Sequence, residues 1–172
     1  MTTYHYYKET YAVPYDAFGH VFLKRHLDVP ALRAETKSSL AVSEVRTNLP
    51  STGFASSDVL QLWRVPAGVL LLGGGVRVTT LGTATNLDIG HASATATMLE
   101  TAEHDRWATG IVSTATGYFK FDTLDGNDWT AVTTKQPVQT LSIADLSIDV
   151  TFNSAAESTL IADFWMFGYK VY

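Results

Sequence analysis

Along most of this chain the hydrophobic positions recur at every second residue, the period of a β-strand with one buried face. The pattern is clearest near the C-terminus, where Leu146, Ile148, Val150 and Phe152 alternate with Ser147, Asp149 and Thr151. Val76, Val78 and Thr80 alternate in the same way with Arg77 and Thr79, and Leu87 and Ile89 point together within Thr85 to Ile89. Val59 to Val65 and Val69 to Leu72 are apolar runs on either side of Pro66-Ala67-Gly68, where a fixed φ followed by a permissive glycine predicts a reversal. Gly73-Gly74-Gly75 interrupts the second run, which predicts a bulge, a bend or a close approach by another backbone. Gly117 to Phe121 predicts a short strand, and Asp125-Gly126 a hairpin turn ahead of Trp129 to Thr133.

The last segment is apolar on both faces. Ile161, Trp165, Phe167, Tyr169 and Val171 occupy one set of positions, and Leu160, Ala162, Phe164 and Met166 the other. A strand of this kind is central in its sheet or lies in an interface. Ala92 to Thr109 has only a weak helical period, through Leu99, Ala102 and Arg106 or Glu103 and Trp107, and predicts a loop with one or two helical turns.

Residues 1–57 have a different texture, with tyrosines at Tyr4, Tyr6, Tyr7, Tyr11 and Tyr15 and prolines at Pro14, Pro30 and Pro50. They read as an arm with short extended pieces at Val21 to Leu23 and Leu40 to Val45, followed by a loop from Thr47 to Ser57. Tyrosines offer contact area with a polar handle, so such an arm suits an interface. From Asp58 onward about eight strands follow without the βαβ alternation of a parallel sheet. The expected fold is all-β: an antiparallel β-sandwich over residues 58–172, a jelly roll first and an immunoglobulin-like sandwich second, with residues 1–57 as its N-terminal arm.

Composition narrows the partners. At 172 residues, 46% hydrophobic and 17% charged, the chain is long enough for one self-sufficient core. A formal charge of −5 argues against binding a nucleic-acid backbone, since counterion release needs clustered cations and the densest group is Lys24-Arg25-His26. The absence of cysteine excludes disulfides and thiolate metal sites. Met1 to Tyr11 is polar and aromatic, unlike a secretory leader, and no apolar run approaches the ~20 residues of a membrane-spanning helix.

Tests for chemistry return little. The triple glycine lacks the Lys-Ser/Thr and the following helix of a phosphate loop. Asp88, His91, His104 and Asp105 have the donor types for a first-row metal, and Asp122, Asp125, Asn127 and Asp128 those for calcium, but neither group has a metal-loop spacing. Glu100 and Glu103, three apart, read as one wet helix face and not as the paired carboxylates of a glycosidase. No catalytic residue, cofactor or metal site is expected. Of the tryptophans, Trp63 and Trp165 lie in strand patterns and read as core, whereas Trp107 and Trp129 have polar neighbours and suit contact with a ligand or partner.

Three motifs carry a family resemblance: Val65-Pro66-Ala67-Gly68, Val76-Arg77-Val78-Thr79-Thr80, and Gly82 to Gly90 (GTATNLDIG). Together they resemble a module of the structural proteins of tailed-bacteriophage virions, and the terminal strand Thr159 to Tyr172 is similar more loosely. The resemblance implies a small β-sandwich most like a capsid decoration, or cement, protein. It implies a homotrimer bound to the major capsid protein at capsomer junctions, located on the capsid surface and assembled in the host cytoplasm. Neither nucleic acid nor membrane is an expected partner, and a receptor- or glycan-binding module of a head or tail fibre is the alternative. The interface residues expected are Tyr4, Tyr6, Tyr7, Tyr11, Tyr15, Trp107 and Trp129.

Overall fold

The computed structural model describes residues 2–6, 18–34, 41–42, 45–46, 50–80, 82, 86–91, 103–112, 116–122, 140–153 and 157–171. Within them the strands are β1 (Thr3–His5), β2 (His20–Asp28), β3 (Ala41–Val42), β4 (Val45–Arg46), β5 (Val59–Val65), β6 (Val69–Thr80), β7 (Asn86–His91), β8 (Glu103–Val112), β9 (Gly117–Asp122), β10 (Thr140–Leu141), β11 (Leu146–Phe152) and β12 (Ile161–Lys170). One short helix, α1 (Val29–Ala34), follows β2. The chain is thus nearly all-β, and its strands form two sheets.

The first sheet runs β4-β3-β1-β5-β11-β7-β8. In the second, β12 lies between β2 and β6, and both β10 and β9 line the far side of β6, at Leu70–Leu71 and Gly73–Val78 respectively. Neighbours pair antiparallel throughout the described residues, apart from the parallel pair β1/β5. One hydrophobic cluster draws on both sheets: Leu60, Leu62, Ile89, Val150 and Phe152 from the first, and Val21, Leu23, Val76, Phe164 and Met166 from the second. Each such side chain withdrawn from water contributes about 1.5–3 kcal/mol before the entropy of ordering it is counted.

The described parts of the segment expected to be an arm are built into the sheets and their core. His20–Asp28 is a nine-residue strand, not a short piece at Val21 to Leu23, and it pairs with β12 along its whole length. β1 joins the first sheet beside β5. Phe54, within the expected loop, is fully buried and stacks on Phe152 at 4.4 Å, while Tyr4 meets it edge-on at 5.3 Å. Buried carboxylates tie the same region down. Asp58 accepts hydrogen bonds from the backbone N–H groups of Thr2 (2.7 Å) and Ala55 (2.9 Å), and Glu157 from those of Thr159 (3.0 Å) and Leu160 (2.9 Å). Asp28 caps α1 by accepting from the Ala31 N–H at 2.8 Å, and the helix turns Val29 and Leu32 into the core.

Two further expectations are corrected. Glu103–Val112 is a strand where helical turns were expected, and it buries Trp107, Ala108 and Ile111. Its pairing with β7 shifts register twice, which breaks the period-2 signal and hides the strand from a pattern reading. Val69 to Leu72 and Val76 to Thr80, expected as separate strands, are one 12-residue strand through the three glycines, which have the expected bulge beside them at Leu72 and the expected close backbone approach, by the Phe119 carbonyl, at Gly75. From Val59 onward there are eight described strands, as many as expected but differently composed: two predicted strands merge into β6, while β8 and β10 are additions. Trp129 to Thr133 lies outside the described residues.

Phe54→Ala tests whether the N-terminal segment belongs to the cooperative unit. It is expected to lower the stability read by urea denaturation by about 3–5 kcal/mol. Asp58→Ala, which leaves two backbone donors without their carboxylate, is expected to cost about 1–3 kcal/mol in the same assay.

Candidate functional site

Strand register maps the outer face of the second sheet residue by residue. Phe22, Phe167 and Gly73 form one row across β2, β12 and β6; Lys24, Trp165 and Gly75 form the next; His26, Asp163 and Arg77 form the third. β9 extends the third row with Tyr118. The alternation of burial shows which way these residues point: Val21, Leu23, Phe164 and Met166 are buried, whereas Phe22 is 57% and Tyr118 51% exposed, and Trp165 and Phe167 are half-buried. An antiparallel sheet normally turns polar side chains to water. Here aromatic rings occupy several of those places.

The glycines of β6 explain how the rings are seated. A Cβ on Gly75 would collide with the Trp165 indole and lie 2.7 Å from the Phe119 carbonyl oxygen. The indole therefore lies across β6 in the space a side chain would fill. Tyr118 stands beside it, 6.4 Å between ring centroids and inclined by 61°, and the Arg77 guanidinium covers the Tyr118 ring at 5.3 Å. Beyond Phe167 a bulge skips Leu72, and the backbone of Gly168 presses against the Leu70 carbonyl where a Cβ would not fit.

Charge is distributed unevenly over this face. Asp163 is engaged by the His26 ring, with Nδ1 and Oδ1 3.0 Å apart. Lys24 and Arg77 are exposed. Their neighbour Arg25 points to the other side of β2, where its guanidinium lies 5.4 Å from the Tyr6 ring, and burial lowers its pKa against the opposing influence of Tyr6. The basic triplet of the sequence is therefore split between two faces, as strand geometry requires.

A chain from the capsid of Ralstonia phage GP4 has the same fold. The two align over 92% of this chain and 89% of that one, at 13% identity and a TM-score of 0.50. No protein-family model matches the sequence, and no curated protein does.

Of the residues singled out from sequence, the described ones fall elsewhere. Tyr4 is 5% exposed, and burial, with Asp58 nearby, raises its pKa so that it stays neutral. Tyr6 is half-buried against the core. Trp107 is wholly buried and meets His91 edge-on at 5.9 Å. Tyr7, Tyr11, Tyr15 and Trp129 lie outside the described residues. Asp88 accepts a hydrogen bond from the Gly110 N–H at 2.8 Å, and no group of three or more metal-ligating side chains occurs among the described residues. The aromatic face itself was half visible in the sequence, as a final strand apolar on both sides. What was missing was the register that sets Trp165 and Phe167 against glycines.

Gly75→Ala separates seating from flexibility. Were the triple glycine a loose hinge, alanine would stabilise by about 0.4–1 kcal/mol by restricting the unfolded chain. The collision with Trp165 and Phe119 instead predicts a loss of about 1–3 kcal/mol in urea denaturation, with a change in tryptophan fluorescence.

Proposed function

We propose that this chain is a structural protein of a tailed-bacteriophage virion, one that decorates the capsid and stabilises it by binding the shell protein at junctions between capsomers. The observation that carries the reading is the fold shared with a phage capsid chain over nearly the full length of both, so that the correspondence is of whole chains and not of one module. The two sheets around one core are read as a β-sandwich of the jelly-roll kind, and the assembly as a trimer on the capsid surface. The chemistry of such a protein is burial. Specific interfaces cover ~1,600 Å² in total, several engaged at once by one oligomer act multiplicatively, and all are lost if the shell opens. An aromatic sheet face within a chain of low charge suits that role, and catalysis is no part of it.

The half-buried indole of Trp165 favours a second reading, attachment to a glycan as part of a head or tail fibre. Purified protein added to shells that lack it separates the two. The decoration reading expects saturable binding by co-sedimentation and a higher temperature of shell disruption. A stable monomer with no affinity for shells would sink it, and selective retention on a glycan array would install the alternative.

A further inference from the structure

Resting on the oligomer of the decoration reading, we infer that Arg25 is the receiving half of a contact between subunits: a carboxylate from a second copy of this chain enters beside Tyr6 and takes the guanidinium in a two-pronged ion pair. Arg25 stands on the core side of β2, opposite Phe164 of β12, and β2 is the last strand of the second sheet among the described residues. Its guanidinium lies 5.4 Å from the ring of Tyr6, whose N–H donates to the Gln61 carbonyl oxygen of the first sheet at 2.8 Å. The residue is half-buried, and its Nε is shut off from solvent without an acceptor among the described residues.

A ring face attracts a cation but accepts no fork of N–H donors, and a buried charge is ordinarily paired. The carboxylates of the same strands belong to the opposite face: Asp163 is engaged by the His26 ring, and Asp28 accepts from the Ala31 N–H. Burial lowers the Arg25 pKa, and the opposing influence comes from Tyr6, not from an acid. A guanidinium fork matches a carboxylate in geometry as well as in charge. Residues that break a packing rule without compensation inside the chain are expected where function compensates them. The complement is present on every copy. With 17 Asp and Glu against 12 Lys and Arg, each carries a surplus of acid and a formal charge of −5, so a cation set between two copies relieves the repulsion that would keep them apart. Such a contact joins two different patches, as the head-to-tail interfaces of rings do.

The test is light scattering across concentration on purified wild type, Arg25→Met, Arg25→Lys and Lys24→Met, the last altering an exposed cation on the opposite side of β2, with urea denaturation of the dissociated subunits. The wild type is expected to be an oligomer. Arg25→Met is expected to dissociate at least about 30-fold more readily, the effect of removing one partner of a buried charge pair. Arg25→Lys, which keeps the charge without the fork, weakens assembly less, and Lys24→Met leaves it unchanged. The dissociated Arg25→Met subunit is expected to be at least as stable as wild type, because an apolar side chain replaces a charge left unpaired within the chain. A wild type that stays monomeric at every concentration overturns the inference and the oligomer with it, while saturable binding to shells would still support decoration. An oligomeric wild type with Arg25→Met assembling equally well overturns the inference alone. So does a destabilised Arg25→Met subunit, which would make the arginine a core residue held by Tyr6. So does an Arg25→Met oligomer that is intact but no longer binds shells, which would place the carboxylate on the shell.

Discussion

The second sheet depends on one strand. β12 pairs with β2 on one side and β6 on the other along nearly its whole length, so its backbone is satisfied by two neighbours while its side chains serve two surfaces. Ala162, Phe164 and Met166 enter the common core. Asp163, Trp165 and Phe167 turn outward. Because the side-chain period of a strand is two, a slip of one residue would exchange these sets, and Gly75 favours the observed register by leaving room for the Trp165 indole. Core packing and the outer face are therefore set by a single alignment.

The periphery secures that alignment from a distance. Phe54 lies between Phe152 and Tyr4, and Asp58 and Glu157 each accept two backbone N–H groups, so the segments before β5 and before β12 are tied into the same core. Buried carboxylates are tolerated when donors surround them, and here the donors come from the chain itself. The outer face adds its own contacts, Trp165 against Tyr118 and Arg77 over the Tyr118 ring.

The fold is shared with a capsid chain, and the outer face of the second sheet is aromatic. Trp107, whose neighbours in sequence are polar, lies in the core, because its company in space is apolar.

The sequence by itself determined that this protein is built of strands, that its final segment is apolar on both faces, and that no cysteine or recognisable metal-loop motif is present. Those properties are local: they follow from period, composition and spacing. Only the tertiary structure decided that β6 is continuous through three glycines, that Glu103–Val112 is a strand, and that residues before Asp58 complete both sheets. Each of these turns on pairing between residues far apart in the chain. A glycine reads as a break until the indole that occupies its missing side chain is known, and a strand interrupted by bulges reads as irregular until its partner is in place. The aromatic face belongs to the same class, because Phe22, Trp165 and Tyr118 become neighbours only through the register of four strands.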